Sequence, residues 1–201
     1  MDVSDILDGL NEAQRSAVAA EQGNQLVLAG AGSGKTRVLV HRIAWLIRAE
    51  GLSPYSVMAV TFTNKAAREM RGRIEEMLGR PTQGLWIGTF HGLAHRLLQT
   101  HWAEAGLPQN FQILDSDDQL RLVKRVCREL GLDDAKWPPR QAQWFINGQK
   151  DEGLRAGHID PPLGDLYTKT MVKIYASYEE ACQRGGLVDF AELLLRAHEL
   201  W

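Results

Sequence analysis

Apolar residues follow two different spacings in the first half of the chain. Short continuous apolar runs at residues 25–28, 57–62 and 85–90 are typical of strands buried in a parallel sheet. One or two amphipathic helices are predicted over residues 4–20. A second helical pattern follows the first run and is carried by Val38, Leu39, Ile43, Leu46 and Ile47. A third helix is predicted from Asn64 to about residue 78. This alternation of strand and helix predicts a doubly wound parallel sheet.

The pattern changes after about residue 100, where strand-like runs nearly vanish. Helices are predicted at about 116–130, 140–149, 165–184 and 189–200, separated by proline-containing turns. We therefore predict an α/β fold with two parts. Residues 1–89 form a RecA-like nucleotide-binding lobe with a partial parallel sheet, and residues 90–201 form a mainly α-helical inserted subdomain.

One segment of the second part has a strand-like sequence. Residues 111–115 read Phe-Gln-Ile-Leu-Asp, which resembles a strand that ends in an acidic Mg²⁺ ligand. Ser116 and Gln119 follow with the spacing of a capping box, which marks the start of a helix. We expect a helix start here and not a strand.

Composition allows a folded domain and suggests where a polyanion would bind. The chain has 201 residues, 44% of them hydrophobic, and a net charge of −2; residues 1–102 carry +2 and residues 103–201 carry −4. A polyanionic ligand would therefore be held mainly by the first half. Cys127 and Cys182 have neither metal-site nor disulfide spacing, which favours a reducing, cytoplasmic setting. We expect no signal peptide and no membrane-spanning segment.

A glycine-rich loop lies between the first predicted strand and the helix that follows it. It matches the P-loop pattern except for alanine at the first position, and it consists of Ala29, Gly30, Ala31, Gly32, Ser33, Gly34, Lys35 and Thr36. Glycines let backbone N–H groups face an anion, and the helix N-terminus adds partial positive charge. We expect Lys35 to contact the terminal phosphates of ATP and Thr36 to bind Mg²⁺. A plain glycine-rich turn is the alternative.

Five segments together carry a family resemblance. They are residues 10–14, 29–37, 59–67, 88–95 and 187–190. In this order they resemble the UvrD/Rep family of superfamily 1 DNA helicases, over the whole chain. The resemblance implies a RecA-like fold, ATP and Mg²⁺ as cofactors, and 3′→5′ unwinding in DNA repair or replication. It also implies single-stranded DNA, single-strand/duplex junctions and DNA-repair proteins as partners.

The resemblance assigns two more residues to the nucleotide. Gln14 corresponds to the glutamine that reads adenine in the family, and it could fold back on the loop. Without the resemblance, a surface glutamine on a helix is the favoured interpretation. Arg37 corresponds to a residue that packs against the base, and a solvated helix arginine is an equal alternative.

Polar and aromatic residues end the second and third predicted strands, at the edge where such sheets bind ligands. Phe62 could stack on a base, while Thr63 and Asn64 could contact phosphate. Capping of the next helix by Asn64 is the alternative, and it does not exclude DNA contact. The resemblance places both strand ends on the single-strand path. The candidates there are Thr61, Phe62, Thr63, Asn64, Thr89, Phe90 and His91.

Three other features have competing interpretations. Phe190 corresponds to a family aromatic near DNA, but it also fits an apolar helix face, and both interpretations stay open. His91 and His95 have the spacing of zinc ligands on a helix, but no third ligand lies nearby in sequence, so a metal site is disfavoured. The acidic pairs at 75–76 and 179–180 point to different sides of a helix and are interpreted as ordinary surface charge.

The chemistry of ATP hydrolysis is incomplete in this sequence. It requires an aspartate for Mg²⁺, a carboxylate that orients water and an arginine finger. The resemblance places these groups in an Asp-Glu-x-x-Asp segment and later motifs, which are not present. We therefore expect an N-terminal fragment that binds Mg-ATP weakly, does not hydrolyse it and leaves a sheet edge exposed. The alternatives are a complete small P-loop kinase or nucleotide transferase, for which no lid or acceptor pocket is evident, and a non-catalytic module that docks partner proteins.

Overall fold

A computed structural model describes residues 3–82 and 84–200 of the chain, which divide into two compact units. The first unit ends at Leu93 and the second begins at Ala94. Among the described residues, no helix is both long and apolar enough to cross a bilayer.

The first unit combines helices with two short strands. Its elements are α1 (Ser4–Leu7), α2 (Glu12–Ala19), α3 (Lys35–Arg48), β1 (Met58–Thr61), α4 (Asn64–Leu78), β2 (Trp86–Thr89) and the first turn of α5 (Phe90–Thr100). Strands β1 and β2 pair in parallel, with Met58 opposite Trp86 and Thr61 opposite Thr89. A 3₁₀ turn at Pro54–Ser56 precedes β1.

Two apolar clusters hold the first unit together. In the larger cluster, α3 and α4 pack with the two strands through Val40, Ile43, Ile47, Val57, Ala59, Met70, Ile74, Leu85 and Ile87. In the second cluster, α1 and α2 pack against α3 through Ile6, Leu10, Val18, Val38 and Ala44. Gly79 caps the C-terminus of α4, and its φ of +62° is the left-handed conformation that glycine adopts without strain.

The strand predicted at residues 25–28 does not form. Leu26 and Leu28 are 84% and 85% exposed, and among the described residues the sheet of this unit contains only β1 and β2. Val27 instead lines a cavity of about 540 Å³ beside Leu39 and Leu46 of α3. A central strand needs a hydrogen-bonded neighbour, and no described segment of the unit provides one. The α/β class with parallel strands is confirmed, but the sheet has two strands.

The second unit is mainly helical. It contains the rest of α5, then β3 (Gln112–Leu114), α6 (Ser116–Glu129), α7 (Pro139–Asp151), α8 (Leu166–Gly185), β4 (Leu187–Asp189) and α9 (Phe190–Glu199). A 3₁₀ turn at Ala156–His158 lies between α7 and α8. Helices α6, α7 and α8 surround a core that includes Val123, Ile146, Met171, Ile174, Tyr175 and Tyr178, all fully buried.

The interpretation of residues 111–115 was wrong in one respect. Helix α6 does begin at Ser116, but the strand-like segment is also a strand, and β3 pairs in parallel with β4. The cap is Asp115, whose Oδ1 accepts the N–H groups of Asp117 and Asp118 at 2.9 and 2.8 Å. A helix cap does not prevent a strand from ending just before it, and the partner strand lies more than 70 residues away in sequence.

Candidate nucleotide site and nucleic-acid interface

The phosphate loop, residues 29–36, ends in the first turn of α3. Gly32 and Gly34 have φ values of +74° and +91°, which favour glycine. Gly34 is the N-cap of α3, and no side chain accepts a hydrogen bond from the helix there. The N–H groups of the first turn, with the positive end of the helix dipole, are therefore available to an anion.

Lys35 folds back onto the loop. Its Nζ atom donates hydrogen bonds to the carbonyl oxygens of Ala29 and Gly30, at 3.0 and 2.8 Å. The hydroxyl of Ser33 donates to the same Gly30 oxygen at 2.7 Å, which closes the turn. The ammonium group of Lys35 therefore lies beside the backbone at the start of the loop. An anionic oxygen bound there would gain a charge-assisted hydrogen bond.

These residues fit a nucleotide triphosphate. The loop offers a cation, uncapped N–H groups and glycines whose missing side chains leave its concave face open; a Cβ added to Gly30 or Gly32 would meet nothing within 4 Å. Thr36 is exposed in the first turn of α3, so its hydroxyl is accessible to a cation. Among residues 3–82 and 84–200, no group of three or more His, Cys, Asp or Glu side chains is arranged to hold a metal ion.

Gln14 lies against this loop. The start of α2 forms a capping box in which Asn11 Oδ1 accepts the Gln14 N–H at 2.9 Å, and Gln14 Oε1 accepts the Asn11 N–H at 3.1 Å. The other end of the same amide, Nε2, donates to the carbonyl oxygen of Ser33 at 3.1 Å. Both polar atoms of the Gln14 side chain therefore have protein partners.

The side chain of Arg37 reaches the loop that follows α1. A Cβ added to Gly9 would lie 2.8 Å from Nη2 of Arg37, so the guanidinium group is close to that backbone. Arg37 also lines a cavity of about 510 Å³ together with Asp5, Arg73 and Glu76. This cavity has two cationic and two anionic side chains.

The ends of β1 and β2 bring two aromatic rings together. Because Thr61 pairs with Thr89 in a parallel register, Phe62 and Phe90 follow at the same edge of the sheet. Their ring centroids are 6.0 Å apart with the planes tilted by 49°, and the residues are 89% and 52% exposed. Exposed paired rings of this kind offer flat apolar surface to a planar ligand.

Polar candidates surround these rings. Thr63 is the N-cap of α4, and its Oγ1 accepts the Ala66 N–H at 3.1 Å. The capping role expected of Asn64 therefore belongs to Thr63, because Asn64 is already the first helical residue and is exposed. Thr89 acts similarly at α5, where its Oγ1 accepts the Gly92 N–H at 3.2 Å. His91 is exposed in the first turn of α5.

Phe190 lies in the second unit, as the first residue of α9. It is 50% exposed, whereas α9 packs into its core through Leu193, Leu194 and Ala197. His95 is also in the second unit, where its ring contacts Phe111 edge-on at 5.7 Å. His91, four residues before His95, belongs to the first unit.

The second unit contains a buried ion cluster that the sequence did not reveal. We define it as Lys150, Asp189 and Glu192, whose side chains are at most 5% exposed. Lys150 Nζ lies 2.7 Å from Asp189 Oδ2 and 2.8 Å from Glu192 Oε2. Asp189 Oδ2 also accepts the hydroxyl of Tyr178 at 2.7 Å and Nε2 of Gln119 at 3.2 Å. No local pattern predicts it, because Lys150 lies 39 residues before Asp189 in sequence.

Arg155 connects the ion cluster to a further carboxylate, that of Glu179. Arg155 Nη1 donates to Glu192 Oε1 at 2.8 Å and to Glu179 Oε1 at 3.2 Å. Glu179 Oε2 accepts the backbone N–H of Ala156 at 3.2 Å. The interpretation of Glu179 as ordinary surface charge was therefore wrong. Glu75 likewise accepts both the N–H and the hydroxyl of Thr82, at 3.1 and 2.7 Å.

The ion cluster shifts the pKa values of Glu192 and Lys150. Burial alone would raise the pKa of Glu192, but the charges of Lys150 and Arg155 outweigh it and lower that pKa to about 2. Burial alone would lower the pKa of Lys150, but Asp189 and Glu192 outweigh it and raise that pKa above its ordinary value. Glu192 and Lys150 are therefore both charged at neutral pH.

Comparison with known proteins gives a consistent result. The sequence model of the UvrD/REP helicase N-terminal domain matches residues 10–201. Over its whole length the chain is 66% identical to DNA helicase II of Escherichia coli (strain K12) and 58% identical to DNA helicase II of Haemophilus influenzae, and it covers 28% of each. Over 98% of its length it is 39% identical to the ATP-dependent DNA helicase PcrA of Bacillus subtilis, of which it covers 26%. The chain thus spans about a quarter of the length of the curated relatives it matches.

Proposed function

Because this chain belongs to the UvrD/REP helicase family, we propose that it is the N-terminal part of an ATP-dependent DNA helicase and binds ATP and single-stranded DNA. The observation that carries the proposal is that one compact unit holds both an open phosphate loop and a pair of exposed aromatic rings at its strand ends. Neither a small kinase nor a docking module accounts for both features together.

The phosphate loop is the proposed ATP site. Lys35 exchanges its two carbonyl contacts for the terminal phosphates, and the uncapped first turn of α3 binds their oxygens. Thr36 offers its hydroxyl to Mg²⁺, which neutralises phosphate charge when bound. Gln14 and Arg37 complete the site, from the start of α2 and from α3.

The strand-end edge of the first unit is the proposed single-strand site. Phe62 and Phe90 stack on bases, a contact that tolerates any sequence because every base has a flat face. Helices α4 and α5 both begin at this edge, where helix N-termini favour phosphate. Thr61, Thr63, Asn64, Thr89 and His91 supply polar contacts there. In the second unit, Phe190 is proposed as a separate DNA contact, because it is 50% exposed at the start of α9.

Hydrolysis and unwinding are proposed for a longer protein than this segment. Phosphoryl transfer to water needs an aspartate for Mg²⁺ and a carboxylate that orients the water. The phosphate loop itself contains neither. In that longer protein we propose 3′→5′ movement along single strands from junctions with duplex, in DNA repair or replication, with repair proteins as partners.

The proposal is tested by measuring ATP binding and ATP turnover by this chain, with and without single-stranded DNA. We expect ATP binding that is lost in Lys35→Ala and retained in the matched control Lys124→Ala, which changes an exposed lysine of α6. We expect no ATP turnover by the unmodified chain or by either variant. Unchanged ATP binding by Lys35→Ala would overturn the nucleotide site. Turnover that depends on Lys35 would overturn the assignment of hydrolysis to other segments.

A further inference from the structure

We propose that Lys150 and Tyr178 are positioning residues for the DNA contact of Phe190. Through Asp189 they hold the first turn of α9, and with it the Phe190 ring, in one orientation before DNA binds. This inference rests on the proposed role of Phe190 in single-strand binding and deepens it. All four residues lie in the second unit.

Phe190 lies where the chain passes from a strand into a helix. Strand β4 ends at Asp189, and Phe190 is the first residue of α9. Helix ends fray because their residues lack part of the intrahelical hydrogen bonding. Phe190 is also 50% exposed, so burial fixes its ring less firmly than it fixes Leu193 one turn later, which is 1% exposed. The orientation of Phe190 therefore depends on how firmly Asp189, the residue before it, is held.

Both oxygens of the Asp189 carboxylate are bound. Oδ1 accepts the N–H of Glu192 at 2.8 Å and so caps α9. Oδ2 accepts hydrogen bonds from Lys150 Nζ at 2.7 Å, from the Tyr178 hydroxyl at 2.7 Å and from Gln119 Nε2 at 3.2 Å. These three donors belong to α7, α8 and α6. The cap of α9 is thereby attached to three other helices at once.

The three donors are themselves held in place. Tyr178 is fully buried, and the Lys150 ammonium lies 5.2 Å from the centre of its ring. Gln119 is buried, and its Oε1 accepts the Nε2 group of Gln143 at 2.9 Å. Donors fixed in this way leave the Asp189 carboxylate little freedom to move. A contact residue that is ordered in advance lowers the ordering cost of binding a base.

Stability alone is a weak reason for the ion cluster. Taking charges out of water is costly, and a well-packed apolar set of similar volume often gives equal or greater stability than buried ions. Charged hydrogen bonds supply direction instead, because they restrict both the distance and the angle of the carboxylate. The ion cluster is therefore suited to set the geometry of the residue that follows Asp189.

The test measures binding of an oligothymidylate to the full-length protein that carries this segment, by fluorescence anisotropy. We expect Phe190→Ala to weaken binding about five- to a hundredfold, as for the loss of one stacked base. Tyr178→Phe keeps the buried ring and changes no charge, but it removes one donor from Asp189. It should weaken binding about two- to fivefold. The double variant should bind like Phe190→Ala alone, because no ring is left to position.

Fluorine NMR reports the orientation of the ring directly. With 4-fluorophenylalanine in place of Phe190, we expect one narrow resonance from the otherwise unchanged protein without DNA. Adding Tyr178→Phe should broaden or split that resonance, because the ring then samples several orientations. An identical resonance in both proteins would overturn the positioning role.

Two further variants separate positioning from stability and from charge. Met171→Ala shortens a fully buried apolar side chain on the same helix as Tyr178. It should lower the melting temperature but leave DNA affinity unchanged at a temperature where circular dichroism shows the folded state. Lys150→Met, measured in the same way, should weaken binding at least as much as Tyr178→Phe. If Lys150→Met does not fold, Tyr178→Phe still decides the question.

Several affinities would overturn the inference. Unchanged binding by Phe190→Ala would show that there is no DNA contact to position, and would also remove Phe190 from the proposed function. With that contact present, wild-type affinity in Tyr178→Phe would show that the hydrogen bonds on Asp189 do not act on binding. Losses that add fully in the double variant would show an effect away from Phe190. A loss in Met171→Ala as large as that in Tyr178→Phe, in proportion to stability, would show a structural role only.

Discussion

The ammonium of Lys150 and the carboxylate of Asp189 form a buried ion pair, with 2.7 Å between Nζ and Oδ2 and only 2% of each side chain exposed. Lys150 belongs to α7, and Asp189 is both the last residue of β4 and the N-cap of α9. Tyr178 of α8 and Gln119 of α6 donate to the same oxygen. One carboxylate therefore joins four helices of the second unit.

Removing the ammonium should destabilise the second unit strongly. We expect Lys150→Met to lower the free energy of unfolding by about 3–5 kcal/mol, because Asp189 and Glu192 remain buried without their shared cation. Urea denaturation followed by circular dichroism measures the change. The matched control is Arg184→Ala, which breaks an exposed pair with Glu180 and should cost less than about 0.5 kcal/mol. A loss for Lys150→Met as small as that of the control would contradict the buried cluster.

The ion cluster should also make the second unit sensitive to acid. The pKa of Glu192 falls from 4.5 to about 2 on folding, so its charge stabilises the folded state above about pH 4.5. That contribution, on the order of 3 kcal/mol, is lost as the pH falls from 4.5 towards 2. Denaturation of the wild type and Glu192→Gln at pH 7 and pH 3 measures it.

The change in this stability difference with pH distinguishes the Glu192 carboxylate from exposed acidic groups. The difference in unfolding free energy between wild type and Glu192→Gln should be large at pH 7 and smaller at pH 3. At pH 3 the carboxyl is protonated in the unfolded state, whose pKa is 4.5, but is still mostly charged in the folded state. Glu129→Gln, an exposed carboxylate of α6, should show little difference at either pH. A wild-type advantage that stays constant between the two pH values would disprove the assignment.

The aromatic pair at the strand ends should determine affinity for single-stranded DNA. We expect Phe62→Ala and Phe90→Ala each to weaken binding of an oligothymidylate by about 1–3 kcal/mol, because each ring stacks on a base. The double variant should lose less than the sum, since the rings are in contact. Fluorescence anisotropy gives the affinities. Trp144→Ala, which removes a 65% exposed aromatic residue from the middle of α7, is the control. If Phe62→Ala and the wild type bind the oligothymidylate with equal affinity, Phe62 does not stack on a base.

Substitutions in the exposed apolar segment before the phosphate loop, residues 25–28, should have little effect on stability. Their sequence pattern, which is typical of a buried strand, would predict a large effect. In this chain Leu28 is 85% exposed, so Leu28→Ser should change the unfolding free energy by less than about 0.5 kcal/mol. Ile87, 4% exposed in β2, is the comparison, and Ile87→Ala should cost about 2–5 kcal/mol. A cost for Leu28→Ser similar to that of Ile87→Ala would mean that residues 25–28 are packed after all.

Local signals in the sequence predicted most elements and the candidate sites. The phosphate loop was recognisable because its function depends on residue types at fixed short spacings, with Lys35 directly at the start of α3. The Thr-Phe dipeptides at 61–62 and 89–90 marked the strand ends for the same reason. The parallel class of the fold followed from the order of strands and helices. The phosphate loop and the two strand ends are each decided within a few neighbouring residues.

Tertiary structure alone decided the features that depend on distant partners. Residues 25–28 have the composition of a buried strand, but strand formation requires a hydrogen-bonded neighbour. Residues 112–114 form a strand because β4 supplies that neighbour. Lys150 has no local signal at all, since its burial is tolerated only where folding brings Asp189 and Glu192 to it. Sequence determines which local conformations are favourable, whereas pairing and charge burial depend on groups that only the fold brings together.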